Sequence, residues 1–297
     1  MPNLQQLAAG LLFVLPVICC AQKNYSPQIA GAEKLIYKTT PQGDLGMWIF
    51  RPEGWKAGDD RPAAVFFFGG GWKGGSPNQF VPHAKLLASR GMVAAVADYR
   101  VASRHKTLAK DCVEDCKSAV RYLREHAADQ GIDPDRILAG GGSAGGHTAA
   151  CTALIKGFEV GDTTISSIPN ALVLYNPALA LAPVEGKPAP EEDRSEEMRE
   201  RMGVEAEVLS PIHHVQSGAP PTIIFHGKDD KTVPYVSAEW FTEAMTEAGN
   251  RCDLYGFDGE GHGFFNNRKA DAEHMASQAC NEKLDAFLVT LGWLETQ

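Results

Sequence analysis

Three side chains far apart in this chain are of the types that together make a nucleophile. Ser143 stands inside Gly141-Gly142-Ser143-Ala144-Gly145, which fits the pattern G-x-S-x-G. In that pattern a serine occupies a strained turn between a strand and a helix, with its hydroxyl pushed out above the sheet. The outer glycines have a steric job. A turn that tight brings the backbone two residues before and two after the serine into contact, which leaves no room for side chains at Gly141 and Gly145. The following helix aims its first amides and the positive end of its dipole at charge developing beside Ser143.

A serine hydroxyl is a weak nucleophile unless a base takes its proton and a third group orients the base. The base candidate is His262, in Glu260-Gly261-His262-Gly263-Phe264 near the C-terminus; of nine histidines, it alone has the right order, spacing and setting. The acid candidates are Asp229 and Asp230, in His226-Gly227-Lys228-Asp229-Asp230-Lys231-Thr232-Val233-Pro234. Both lie just beyond the β-type run 222–225, and loops at strand ends are where working groups collect. A fourth part is Phe67-Phe68-Gly69-Gly70-Gly71-Trp72. Three consecutive glycines can turn successive N–H groups toward one point and, with the amide of Ala144, form an oxyanion hole. A phosphate-binding reading of this loop is poor: the loop has no GK[ST] ending.

The elements that position these residues follow from hydrophobic pattern. Run 63–68 is apolar without polar alternation, as expected of a strand buried on both faces of a parallel sheet, and 92–98, 136–139, 171–175, 222–225 and 252–257 read as further strands. Helical stretches at 80–90, 108–130, 143–156, 236–248 and 270–291 separate them. Runs 33–40 and 45–51 around Pro41-Gln42-Gly43-Asp44 read as an antiparallel hairpin. The expected fold is α/β: a doubly wound, mostly parallel sheet with that hairpin at its entry. Residues 22–297 form one domain. The Pro-rich and charged segment 182–207 breaks the rhythm and reads either as a small cap or lid over the site or as a solvated surface excursion with one charged helix.

Bulk composition narrows the function. The chain has 297 residues, 44% of them hydrophobic, and a net charge of −9. An acidic chain without a run of Lys and Arg is not built to bind nucleic acid. Residues 7–20 are apolar and uncharged but too short to span a bilayer. With Ala21 behind them they read as a signal peptide, 1–21, which implies a secreted or periplasmic protein rather than one with an integral membrane span. A lipid-anchored cysteine at Cys19 or Cys20 is the lesser reading. Beyond that segment lie Cys112, Cys116, Cys151, Cys252 and Cys280. This odd number leaves at least one free thiol; Cys252–Cys280 is the favoured disulfide, with buried free thiols as the alternative. No Cys/His cluster has zinc spacing, and no metal or organic cofactor is implied.

Taken together, these motifs resemble the α/β-hydrolase superfamily, and within it the hormone-sensitive-lipase-like and acetyl-xylan or feruloyl-esterase-like carboxylesterases. That group carries a His-Gly-Gly-Gly-Trp-type loop, Gly-x-Ser-Ala-Gly-Gly, His-Gly-x-x-Asp-x-x-Val-Pro and Gly-His-Gly-Phe, and the likeness covers about residues 45–292. It implies Ser143 as nucleophile, His262 as base, Asp230 rather than Asp229 as acid, and Gly70, Gly71 and Ala144 as oxyanion donors. Phe68 departs from the pattern, standing where the group usually has histidine; packing must then support the loop. Trp72 and Phe264 are candidate walls of the substrate pocket, with core packing as the alternative. The implied activity is hydrolysis of a small ester or acylated carbohydrate, such as an acetyl or feruloyl ester, through an acyl-enzyme. A prolyl-oligopeptidase-like peptidase and a non-catalytic hydrolase-fold binding protein are the alternatives.

Overall fold

Apolar runs lacking alternation become the centre of the sheet. The computed structural model describes residues 27–188, 195–266 and 272–296; the expected signal peptide lies outside them. Eight strands form one sheet: β1 Glu33–Thr40, β2 Gly43–Phe50, β3 Arg61–Phe67, β4 Val93–Ala97, β5 Ile132–Gly142, β6 Ala171–Tyr175, β7 Thr222–Gly227 and β8 Cys252–Phe257. Their order is β1-β2-β4-β3-β5-β6-β7-β8. The β1–β2 and β2–β4 pairs are antiparallel and every later pair is parallel. The order reverses beside β3 and β5. In an open α/β sheet, such a reversal places a crevice at the carboxyl ends of the strands, and here both the glycine loop and the Ser143 turn leave the sheet at that edge.

Helices cover both faces. They are α1 Val81–Ser89, α2 Ala102–His105, α3 Ala109–Glu125, α4 Ala127–Gln130, α5 Ala144–Leu154, α6 Ser195–Met202, α7 Tyr235–Glu247 and α8 Ala272–Thr290. One apolar layer joins the sheet to α3, α5 and α7 through Val113, Val120, Ala149 and Phe241. The other joins it to α1 and α8 through Phe80, Leu87, Leu284 and Phe287. No helix among the described residues is long and apolar enough to cross a membrane.

Two expectations need correction. The helix expected over 108–130 breaks at His126 into α3 and α4, and Gly131 closes α4 at φ +63°. The strand beyond it then begins at Ile132, four residues before the apolar run, with an irregularity opposite Arg61 and Ala63. The disulfide does not form: all five cysteines of the described chain are free. Cys252 packs on the α7 side of the sheet, with Sγ 3.7 Å from Thr242 Oγ1, whereas Cys280 belongs to the α8 layer. The sheet lies between the two.

One buried group makes stability depend on pH. His83 of α1 sits among Phe66, Phe80, Tyr175 and Phe265, with ring centroids 5.0–6.0 Å apart. Its Nδ1 has no partner among the described residues. Burial pushes its pKa down from 6.5 to about 4. Between those values the unfolded chain takes up a proton that the folded chain refuses, so stability falls as pH drops through that window. In His83→Phe the fall in Tm between pH 7 and pH 4.5 is expected to be smaller than in the wild type. Thermal unfolding at matched ionic strength measures it, and an unchanged slope contradicts the assignment.

Candidate active site

Ser143 lies between β5 and α5 at φ +54°, ψ −121°, a conformation that strains an L-residue by about 1–3 kcal/mol. The surroundings leave it no alternative. Its N–H donates to Tyr175 O at 2.9 Å, and its carbonyl accepts from the His147 N–H at 2.9 Å. A Cβ on Gly141 would meet the Gly145 backbone at 2.5 Å, and one on Gly145 would run into the carbonyl oxygens of Phe67 and Phe68. The start of α5 therefore lies directly on the backbone of β3 and β5. Gly142 is constrained from the other side, because a Cβ there would enter the ring of Phe265.

The chain brings the two distant partners to this serine. His262 Nε2 stands 3.0 Å from Ser143 Oγ, and His262 Nδ1 stands 2.7 Å from Asp230 Oδ2. An ionised carboxylate only accepts, so Nδ1 carries the proton and Nε2 turns a lone pair toward the hydroxyl. Asp230 Oδ1 accepts the N–H groups of Thr232 and Val233 at 2.8 and 2.9 Å. His226 Nε2, 3.3 Å from Asp230 Oδ2, lies 2.9 Å from Val233 O. Burial opposes the charge on Asp230, but the hydrogen bonds from His226, His262 and the two amides outweigh it and hold the carboxyl well below the usual carboxylate range. Asp229, by contrast, is exposed, and only its N–H reaches this loop, donating to Glu260 O.

The glycine loop resolves which amides are free. The Gly69 N–H is taken by Gln79 Oε1 at 2.6 Å. Gly70 closes a turn by accepting from Lys73 and Gly74 at 3.1 and 3.2 Å. Neither the Gly70 nor the Gly71 amide donates to any acceptor among the described residues. Ala144 opens α5, where an amide has no intrahelical partner. Phe68 supports the loop by packing: its ring stacks on Tyr99 at 4.1 Å, and the Tyr99 hydroxyl donates to Phe68 O.

Trp72 and Phe264 are not pocket walls. Trp72 is 5% exposed, and its Nε1–H donates to His147 Nδ1 at 3.1 Å. His147 Nε2–H in turn donates to Leu209 O at 2.7 Å, and burial lowers its pKa to about 4, so the ring stays neutral and keeps both bonds. Trp72 thus pins the glycine loop to α5 from beneath. Phe264 is likewise 5% exposed and packs on Phe257 at 4.9 Å. The next residue, Phe265, reaches the cavity instead.

That cavity, ≈830 Å³, holds Gly70, Gly71, Ser143 and His262 in its wall, with Asn176, Gln79 and Asn266 beside them. No described residue of 182–207 contributes to the lining. Asn266 has a sequence signal of a kind, four residues after His262 on the same loop; Gln79 has none, because its role depends on contacts across 187 residues. No group of His, Cys, Asp or Glu among the described residues is arranged to hold a metal ion.

Comparison with known proteins places this geometry. The BD-FAE family model matches residues 47–245, and the dienelactone hydrolase family model matches 203–292. Esterase 2 of Thermogutta terrifontis, solved phosphonylated by sarin, is 49% identical over 92% of this chain and 99% of that one, with a TM-score of 0.88. The same esterase with propionate bound, and with butyrate bound, is 49% identical at a TM-score of 0.86, covering 91% of this chain and 98% of that one. The probable isoprenylcysteine alpha-carbonyl methylesterase ICMEL1 of Arabidopsis thaliana is 27% identical over 80% of this chain and 52% of its own length. The chain spans about half the length of the curated relatives it matches first. Matched by its model over more than half of its residues, the chain belongs to the BD-FAE family of carboxylesterase-type α/β-hydrolases.

Proposed function

We propose that this protein is a serine carboxylesterase that hydrolyses short acyl esters through a covalent acyl-enzyme. One observation carries the reading: hydroxyl, imidazole and carboxylate stand in line at 3.0 and 2.7 Å, next to two glycine amides that donate to nothing among the described residues. In this reading His262 Nε2 takes the Ser143 proton as Oγ attacks the ester carbonyl. The carbonyl oxygen becomes an oxyanion held by the amides of Gly70, Gly71 and Ala144, each such donor contributing about 2.7–4 kcal/mol to the transition state. Asp230 keeps the imidazole in the required tautomer and stabilises it when it is charged. The imidazolium then protonates the leaving alcohol. Water, losing a proton to the same nitrogen, adds to the acyl-enzyme and frees the acid and Ser143.

The acyl group is small in this reading, because a relative 49% identical is solved with propionate and with butyrate bound. For the alcohol, the cavity offers Ser76, Asn78 and Thr232 around the nucleophile. Such a wall suits a hydroxyl-rich leaving group, and an acylated carbohydrate is the natural candidate. Export through the segment 1–21 belongs to the same proposal and rests on its apolar run 7–20.

The wild type is expected to hydrolyse p-nitrophenyl acetate, propionate and butyrate, with kcat/KM falling at octanoate. Ser143→Ala is expected to lose on the order of a millionfold in kcat. A wild type without esterase activity, or an active Ser143→Ala, refutes the reading.

Asp230→Asn is expected to reduce kcat by roughly 10⁴-fold, by releasing the tautomer of His262. Asp229→Asn, on the exposed neighbour, is expected to stay within about twofold of the wild type. Equal losses in the two variants would exchange or erase the role given to Asp230.

A further inference from the structure

The two loops that carry the catalytic groups are joined by side chains to which no part of the mechanism above gives a role. The glycine loop leaves β3; the histidine loop leaves β8, at the far edge of the sheet. Between them runs an unbroken line of amide hydrogen bonds. The Gly69 N–H donates to Gln79 Oε1 at 2.6 Å, Gln79 Nε2 donates to Asn266 Oδ1 at 2.9 Å, and Asn266 Nδ2 donates to Gly263 O at 2.9 Å. Gly263 adjoins His262, and its own N–H donates to Asn176 Oδ1 at 3.2 Å. Beneath the polar line lies an apolar one: Phe80 stacks on Phe265 at 5.5 Å, one residue along from each member of the pair.

We propose that Gln79 and Asn266 are positioning residues that clasp the oxyanion loop to the histidine loop, so that the hole and the base hold one fixed separation. This rests on the esterase reading, since it concerns the same site. The argument is geometric. Each terminal amide of the pair serves one loop with one atom and the other amide with the second, so neither loop shifts without breaking a bond in the line. Gln79 also decides which amides remain for substrate. By accepting from Gly69 it fixes that peptide plane, and the next two amides in the chain are those left undonated. A hydrophobic contact alone does not set the rotation of a peptide plane. Phe80 and Phe265 bring the loops together, and the amide pair orients them.

The pair spans two loops from opposite ends of the chain, so its removal leaves the nucleophile, base and acid chemically intact. The loss therefore falls on kcat, because misplacing a reacting group by a fraction of an ångström slows the chemistry while substrate still enters the cavity.

The test uses the full chain with p-nitrophenyl acetate and measures kcat, KM and Tm together. Gln79→Met keeps the length of the side chain and removes both hydrogen bonds; Asn266→Ala breaks the line from the other loop. Each is expected to lower kcat by about tenfold or more with KM within about twofold. The double variant is expected to be no slower than the slower single one, because both break the same line. Gln79→Glu, which still accepts from Gly69 but has no N–H for Asn266, is expected to fall between Gln79→Met and the wild type. Unchanged kcat in either single variant overturns the clasp, as do losses that multiply in the double variant or that follow Tm alone. If Gln79→Met does not fold, Asn266→Ala decides by the same kcat and KM criterion. An inactive wild type, or an active Ser143→Ala, removes the esterase reading and the clasp with it. An active wild type whose Gln79 and Asn266 variants match it removes the clasp alone.

Discussion

At the turn that carries Ser143, backbone meets backbone with nothing between. Gly141 and Gly145 touch, and both press on the carbonyl of Phe67. This contact fixes three elements at once, because β3, β5 and the first turn of α5 have only one way to approach so closely. It also forces Ser143 into a positive φ that an ordinary residue avoids. Strain of about 1–3 kcal/mol at such a residue persists only when its surroundings over-determine it. Here they do. The serine amide is tied to β6, its carbonyl closes the first turn of α5, and the Phe265 ring fills the space beside Gly142. The hydroxyl is presented because the backbone cannot relax.

The glycine loop faces the opposite problem. To bind a developing anion, as proposed, it must leave N–H groups undonated, and the amides of exposed Gly70 and half-buried Gly71 then give the loop no hold on the rest of the chain. Everything else in the loop is therefore tied down. Trp72 is held by His147, Phe68 by Tyr99, Gly69 by Gln79 and the Gly70 carbonyl by its own turn. Arg104 adds a bond from its guanidinium to Gly75 O at 2.7 Å. A loop so anchored reorganises little when charge appears, and that is the condition under which fixed dipoles outperform water. The neutral, deeply buried His147 fits this purpose: one ring nitrogen accepts and the other donates, which a charged imidazole cannot do.

How much of this the sequence disclosed depends on the range of each interaction. The hairpin strand 33–40 and the strands 171–175 and 252–257 appear at the boundaries read from sequence; for 171–175, buried at every position, the requirement is written into consecutive residues. The glycines of the elbow were equally legible, since their steric need is local. The acid was not. Asp229 and Asp230 are neighbours of identical chemistry, and only a family resemblance separated them before the fold turned one inward and the other to solvent. Phe264 and Phe265 show the same limit at one residue's distance. Adjacent side chains in a tight turn point in different directions, and no propensity says which reaches the cavity. The disulfide expectation for Cys252 and Cys280 went astray because spacing along the chain carries no information about which face of the sheet each thiol occupies. Gln79 was silent for the corresponding reason: its partners are a backbone amide ten residues before it and an asparagine 187 residues after it.

The contrast between the acid and the base loops bears on how the site keeps its geometry. Asp230 is immobilised by two backbone amides of its own loop and by His226, all within a few residues. His262 has less local support, because the glycines on either side give its backbone freedom and Gly263 adopts φ +80°. In the proposed mechanism, a residue that shuttles a proton between a serine, an alcohol and a water needs that latitude, yet its mean position must stay within hydrogen-bond reach of Ser143. Local sequence cannot supply both. The restraint has to come from outside the loop, and in this fold the outside contacts are Asn176 at the end of β6, Asn266 one turn onward and the Phe265 ring wedged against the elbow. The same ring that leaves Gly142 no room for a side chain also holds the base loop against the nucleophile's turn. The strain at Ser143 and the placement of His262 therefore share one packing contact.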